Sequence, residues 1–244
     1  MSDSIFKDTS PSSPFASIEV SDLVAAVEAQ LTQAIVEGRL PPGSRIVEAD
    51  IARRMNVSRA PVREAARRLE RQGVLISRPR HGFAVRTVTV REIDDLFQVR
   101  LNLELMAASL ACKQAPEAGL KQLLAMVERM VLEADSLPQI ERVARDLAFH
   151  TAICELSGNA YLHRMFSQMQ TEIRMIVALI DSVYHDPKAV AETHRPIAEA
   201  ISRRDEAAAQ AAVRFHIEDA WVHVRAVFMQ KQGATEAPPM EYAL

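Results

Sequence analysis

Residues 57–65 read Val57-Ser58-Arg59-Ala60-Pro61-Val62-Arg63-Glu64-Ala65, and their spacing decides the fold of the first third of this 244-residue chain. Ser58 suits the N-cap of a helix, and Pro61 falls in the first turn, where its missing N–H is no loss. The helix should run to about Gln72 and stop at Gly73. At 100° per residue Val62, Ala65, Ala66 and Leu69 share one stripe, while Arg59, Arg63 and Arg67 form a second stripe beside it. A short helix over 48–55 precedes it, joined by Asn56-Val57, and Asn tolerates the left-handed backbone such a turn needs. The spacing of Ala52, Asn56 and Val62 fits a helix-turn-helix, in which a small residue lets the helices approach and an apolar one faces inward.

Working outward, a helix over 21–37 is expected, capped by Ser21, with Leu23, Val27, Leu31, Ala34 and Ile35 as its apolar stripe. Gly38 ends it and Pro41-Pro42-Gly43 makes a tight turn. Downstream, Val74-Leu75-Ile76 and Phe83-Ala84-Val85 are short strand-like runs around Arg78-Pro79-Arg80-His81-Gly82, which reads as a β-hairpin, or wing. Residues 1–20, rich in Ser and Pro, read as a flexible tail.

Charge separates the chain into two halves. The net charge is −3. Residues 45–91 nevertheless carry twelve arginines against four acids, and residues 92–244 carry fifteen basic side chains against twenty-two acidic ones. A basic block joined to an acidic one points to a polyanion-binding half and a half with another task. Arginine's planar fork suits phosphates and guanine edges. The basic stripe begins at the helix N-terminus, the end a recognition helix inserts into the major groove. Ser58 and the first-turn N–H groups could hold a phosphate while Arg59 and Arg63 reach bases. The competing readings are a solvated helix face for the arginines and an ordinary turn for His81-Gly82, against a wing tip in the minor groove.

From about residue 90 onward the patterns are all helical: 90–114, 117–135, 138–157, 159–184, 187–203 and 205–230, punctuated by Pro116, Pro138, Gly158 and Pro187. This predicts an antiparallel bundle of about six helices over 91–231, followed by a tail at 232–244. Asp146 and His150 are four apart on one helix and so share a face. His194 lies on a later helix and His216 on the last. One carboxylate and three imidazoles can hold a divalent cation inside a bundle, zinc first, with nickel, iron and manganese open. Core or surface histidines are the alternative. Asp146 and His150 flank Phe149 on an otherwise apolar stripe, and buried polar groups need partners.

The motifs carry a resemblance. Pro42-Gly43-Ser44-Arg45, the 57–65 stretch, Arg68-Leu69-Glu70 and Gly73-Val74-Leu75 resemble the signature of the GntR family of transcription regulators across residues 21–90. Asp146-Leu147-Ala148-Phe149-His150, Ser157-Gly158-Asn159, Val99-Arg100 with Glu104, and His194-Arg195 with Ile197 and Ala200 resemble its FadR-type branch with an FCD effector domain. The helix count is closer to the short, VanR-like form. The resemblance implies a winged helix-turn-helix over 21–90 that binds a palindromic double-stranded operator as a homodimer, the contacting set being Arg45, Ser58, Arg59, Ala60, Arg63, Arg67, His81 and Gly82. It also implies a metal held by Asp146, His150, His194 and His216, and a small carboxylate effector clamped by Arg100. Asn159 stands as a second effector contact or as a helix cap, and Arg100 as a pocket residue or as a salt bridge to Glu104.

The function expected is a sequence-specific regulator, a repressor by preference, whose operator affinity an effector controls. A metal-dependent enzyme acting on a small organic acid is the alternative, but no general base can be named for it. No run approaches the ~20 apolar residues of a membrane span. No signal peptide is read, and two cysteines make no disulfide framework, so a cytoplasmic location is expected.

Overall fold

The computed structural model describes residues 21–78, 82–178 and 186–233. His81 and the expected tail at 1–20 lie outside them, as does most of the tail at 232–244. The head contains α1 (Ser21–Val36), β1 (Arg45–Ile46), α2 (Glu48–Arg54), α3 (Arg59–Arg71), β2 (Leu75–Arg78) and β3 (Gly82–Val85). The sheet is antiparallel in the order β1-β3-β2, with Ile46 opposite Phe83 and Leu75 opposite Val85. Sequence reading expects the β2–β3 hairpin alone. A two-residue strand such as β1 is too short to show alternation, and its pairing with β3 is a tertiary event.

The helix-turn-helix closes around small residues. Val62, Ala65, Ala66 and Leu69 are fully buried beneath α3, and Ala52 is buried on α2. Asn56 takes φ +52° between them, and the Val57 N–H donates to the Ala52 carbonyl. On α1 the buried face is Val24, Val27, Leu31 and Ile35, while Leu23 is exposed. The apolar stripe therefore starts one residue later than expected, because Val24 and not Leu23 is in phase with Val27 and Leu31.

Among the described residues seven helices follow: α4 (Val90–Gln114), α5 (Glu117–Glu133), α6 (Gln139–Leu156), α7 (Ala160–Ala178), α8 (Pro187–Glu192), α9 (Arg195–Ser202) and α10 (Glu206–Gly233). Thr89 opens α4 with a capping box: its hydroxyl accepts from the Glu92 N–H, and the Glu92 carboxylate accepts from the Thr89 N–H. That Thr-x-x-Glu spacing is a local signal legible in the sequence itself. Antiparallel packing of α4 and α10 follows from two contacts: the Trp221 indole donates to Asp94 at one end, and Ser109 and Lys113 donate to Glu206 at the other.

The segment expected as a single helix over 187–203 breaks at Thr193-His194 into α8 and α9, and Pro196 in the first turn of α9 is the local reason. Arg204 ends α9 in the left-handed region at φ +58°, and its guanidinium donates to the Cys112 and Ala115 carbonyls at the end of α4. Two capping demands are thereby met by one side chain.

Head and bundle meet at Arg86. Its guanidinium bonds Glu172 of α7 at 2.5 Å and Glu92 of α4 at 2.5 Å, and also donates to the Gly73 carbonyl. Elsewhere between the halves lies an open cleft of about 1010 Å³, with α1 on one side and α6 and α7 on the other.

Candidate functional site

Two regions gather the side chains singled out in the sequence. On the head, Ser58, Arg59, Ala60, Arg63 and Arg67 are all exposed along the start and open face of α3, and Arg45 is exposed on β1. Gly82 is exposed at the start of β3 with φ +75°. Ser58 occupies the N-cap position, but its hydroxyl accepts no bond from the first turn, contrary to the expected cap. Arg63 forms an ion pair with Glu48 of α2 at 2.7 Å. Arg59, Arg63 and Arg67 thus form an outward cationic row while α3's other face is sealed in the core.

In the bundle, Asp146 and His150 project from α6, His194 from the α8–α9 break, and His216 from α10. One ligand atom from each lies within 4.8 Å of all the others. The three histidines are buried and Asp146 is half-buried. Phe149, fully buried, packs edge-on against His150 and His194 and forms an apolar wall.

Hydrogen bookkeeping shows what this cluster accommodates. The Nδ1 of His194 lies 3.1 Å from the Ala191 carbonyl oxygen, which can only accept, so Nδ1 carries the hydrogen. The Nδ1 of His150 lies 2.5 Å from a Glu104 carboxylate oxygen. Burial alone would raise the Glu104 carboxyl, but the charges of His150 and Arg100 and their hydrogen bonds hold it below its ordinary range, so it too accepts. The Thr193 hydroxyl spends its hydrogen on the Val190 carbonyl at 2.7 Å, which leaves its oxygen to accept from His216 Nδ1 at 2.9 Å.

With Nδ1 as the donor in all three, the neutral form of each imidazole, the form that binds a metal, turns a bare Nε2 toward the centre. There His194 Nε2 lies 2.9 Å from the Asp146 carboxylate, and His150 Nε2 lies 3.2 Å from His216 Nε2. In that neutral form lone pair faces lone pair. In the protonated form of the rings those gaps are filled: burial opposes the charge of Asp146, yet the His194 bond and the charges of His150, His194 and Arg100 hold its carboxyl far below the usual range. Burial first, then its histidine neighbours, push the His216 imidazole well below its ordinary value, so it is neutral, as a metal ligand must be. A proton relieves one of these two pairs at a time, whereas a divalent cation meets all four ligand atoms at once. The donor set and its outer partners fit a metal of the imidazole–carboxylate type.

A cavity of about 130 Å³ opens beside this cluster. Asp146, His194 and His216 form part of its wall, with Arg100, Arg142 and Arg145 and the apolar Met130, Leu137, Val143, Val190 and Val224. Arg100 is buried, donates to Glu104 at 2.6 Å and lines the cavity, so its two expected roles coexist. Arg142 and Arg145 went unnoticed in the sequence, since a lone arginine on a helix reads as surface. Asn159 is elsewhere: its side-chain oxygen accepts from the Tyr161 and Leu162 N–H groups and caps α7, and it is not among the residues lining the cavity. Cys154 is fully buried, and burial pushes its thiol up.

Residues 23–85 match the family described as bacterial regulatory proteins, gntR family, and residues 95–219 match the FCD domain. The chain belongs to the GntR family. The FCD-containing GntR chain is 28% identical over 203 residues to the uncharacterised HTH-type transcriptional regulator YdhC of Bacillus subtilis, covering 81% of this chain and 89% of that one. It is 31% identical over 183 residues to a probable D-xylose utilization operon transcriptional repressor of Paenarthrobacter nicotinovorans, covering 75% and 80%. Among solved structures, E. coli McbR/YncC shares the fold with a TM-score of 0.70 at 23% identity, over 86% of this chain and 98% of that one. These relatives are transcriptional regulators, so this GntR protein is a regulator and not an enzyme, which removes the metalloenzyme alternative. No helix among the described residues is long and apolar enough to cross a membrane.

Proposed function

We propose that this GntR protein is a cytoplasmic, dimeric repressor that binds a palindromic operator through α3 and its wing and is controlled by a small carboxylate effector held in the 130 Å³ cavity. On the head, the first turn of α3 meets the backbone while Arg59 and Arg63 reach base edges, with Arg45, Arg67 and the strand pair around Gly82 flanking them. His81, at the expected wing tip, belongs to the same reading.

Control rests on the bundle. Asp146, His150, His194 and His216 would hold a divalent metal, zinc before nickel, iron or manganese. When bound, the ion supplies a Lewis-acidic partner for carboxylate oxygens at the cavity floor. Arg100, fixed by Glu104 and lining the same cavity, would clamp that carboxylate. Glu104 orients both Arg100 and His150, so clamp and ligand are set by one buried side chain. An effector that prefers one arrangement of α6, α8 and α10 would shift the bundle and, through Arg86, the head.

The convergence of the Asp146 carboxylate and a ring nitrogen from each of three histidines within 4.8 Å carries this reading. Metal analysis of protein purified without chelator should find about one divalent ion per chain, falling well below half in His194→Ala with helical content intact. A metal-free wild type, or full retention in the variant, would defeat it.

A further inference from the structure

We propose that the cavity selects dianionic acids, with Arg142 and Arg145 on α6 binding a second carboxylate; this rests on the effector reading above. The charges on the cavity wall support it. Arg100 is matched by Glu104, and Arg145 by Glu133 of α5. Among the described residues no carboxylate lies within ion-pair distance of Arg142, whose bond to the Leu137 carbonyl neutralises none of its charge. A guanidinium has five donors, so most of Arg142's remain to be met. A divalent ion would add two charges against the single one of Asp146. The cavity would then carry about two unmatched positive charges, one at the metal floor and one at the α6 wall.

A half-buried excess of that size favours a dianion over a monoanion of equal length. Arg142 and Arg145 are three apart and so lie on neighbouring parts of one helix face, where two planar forks can share a carboxylate. The volume resembles an engineered cavity of ~150 Å³ that holds a six-carbon ring, which limits the acid to about four or five carbons.

Zinc-loaded protein titrated with succinate and glutarate, against butyrate and valerate, tests this. The dianions should bind at least tenfold tighter. Arg142→Gln and Arg145→Gln should each cut that preference below threefold and leave the monoacids' affinity unchanged. Monoacids binding as well as dianions would overturn the subsite and leave the effector reading standing. If no acid of either class binds, both fall.

A separate observation points to an interaction surface. The α4–α10 pair turns a second, outward apolar stripe away from the core. On α4 it is Val99 and Met106, seven apart, flanked by Leu96, Leu103 and Leu110, which are half-buried and pack against the core. On α10 it is Phe215, Val222 and Met229, seven apart. Val99 is 48% exposed, Met106 51%, Phe215 67%, Val222 64% and Met229 43%. Both stripes lie opposite their helices' buried faces. With the two helices antiparallel, they fall on one shared side.

The geometry points to this face as the seat of a second copy of the chain. From the level of Glu206 to that of Met229 the pair runs on the order of 35 Å, and two helices side by side are about 20 Å wide. The footprint of roughly 700 Å² is close to the ~800 Å² per partner of a stable interface. Two such faces related by a two-fold axis would make a four-helix contact, self-complementary because the patch is the same on both sides.

Sedimentation of the full chain tests it. Wild type should be a dimer at micromolar concentration, and Met106→Glu with Val222→Glu should weaken association at least a hundredfold while far-UV circular dichroism is unchanged. Leu132→Glu, exposed on α5, should leave the dimer intact. A double variant that dimerises like wild type would overturn the face but not the dimer. A monomeric wild type would overturn both.

Discussion

The head and the bundle place their functional chemistry in opposite environments. On the head the arginines of α3 stand in water, held by little more than the exposed pair of Arg63 with Glu48. In the bundle, Arg100, Glu104, His150, His194 and His216 are buried, and each is tied to a named partner. A surface that reads a long polyanion needs accessible charge and gains from many weak contacts. A site that discriminates one small acid must be dry and held in place by surrounding bonds, since unpaired buried polar groups are costly.

The contrast can be broken most directly on the head. Arg59→Ala with Arg63→Ala should weaken specific operator binding by about a hundredfold or more, from ~1–3 kcal/mol per base-reading arginine. The melting temperature should barely move, because an exposed ion pair contributes at most ~1 kcal/mol. A fluorescence-anisotropy titration at fixed salt, paired with a melt, reads both; unchanged affinity would remove α3 from the interface.

The joint between the halves comes next. Arg86→Ala leaves Glu172 and Glu92 half-buried without their cation, and a loss of roughly 1–3 kcal/mol is expected by urea unfolding. Glu172→Gln should cost less, since Arg86 keeps Glu92. If the halves are coupled through this residue, the variant's single transition should split into two.

Smaller effects sharpen the picture within the head. Asn56→Ala places an alanine at φ +52° and should destabilise by about 1 kcal/mol, whereas Asn56→Gly should be neutral or slightly stabilising. A chemical melt of the three proteins decides it.

The smallest concerns Glu92. Burial opposes its charge, but Arg86 and both Thr89 donors lower its carboxyl from 4.5 to about 2. A carboxylate depressed in the folded state contributes stability that is fully present above pH 4.5 and is lost as pH falls toward 2. Between pH 5 and pH 3 the wild type should therefore lose more of its urea midpoint than Glu92→Gln does.

The two halves also differed in how much the sequence revealed. The α3 stripe, the Asn56 turn and the arginine surplus are local, and local periodicity carries them. The four candidate ligands were also legible, because histidine is rare and Asp146 and His150 are four apart. What surrounds them was not. Glu104 sits four residues from Arg100 and looks like half of a surface pair; only the fold brings His150 to its other oxygen. The break at Thr193-His194 was hidden because Pro196 can either begin a helix or interrupt one. Arg142 and Arg145 gain meaning only once α8 and α10 close the opposite wall.

That break has a bearing on how this chain tolerates change. Ala191 orients one imidazole and Thr193 orients another, while His194 supplies its own nitrogen. Four consecutive positions, 191–194, therefore set two corners of the cluster. A one-residue insertion or deletion there would misplace both together. Length variation among descendants of this gene should be absent from that stretch.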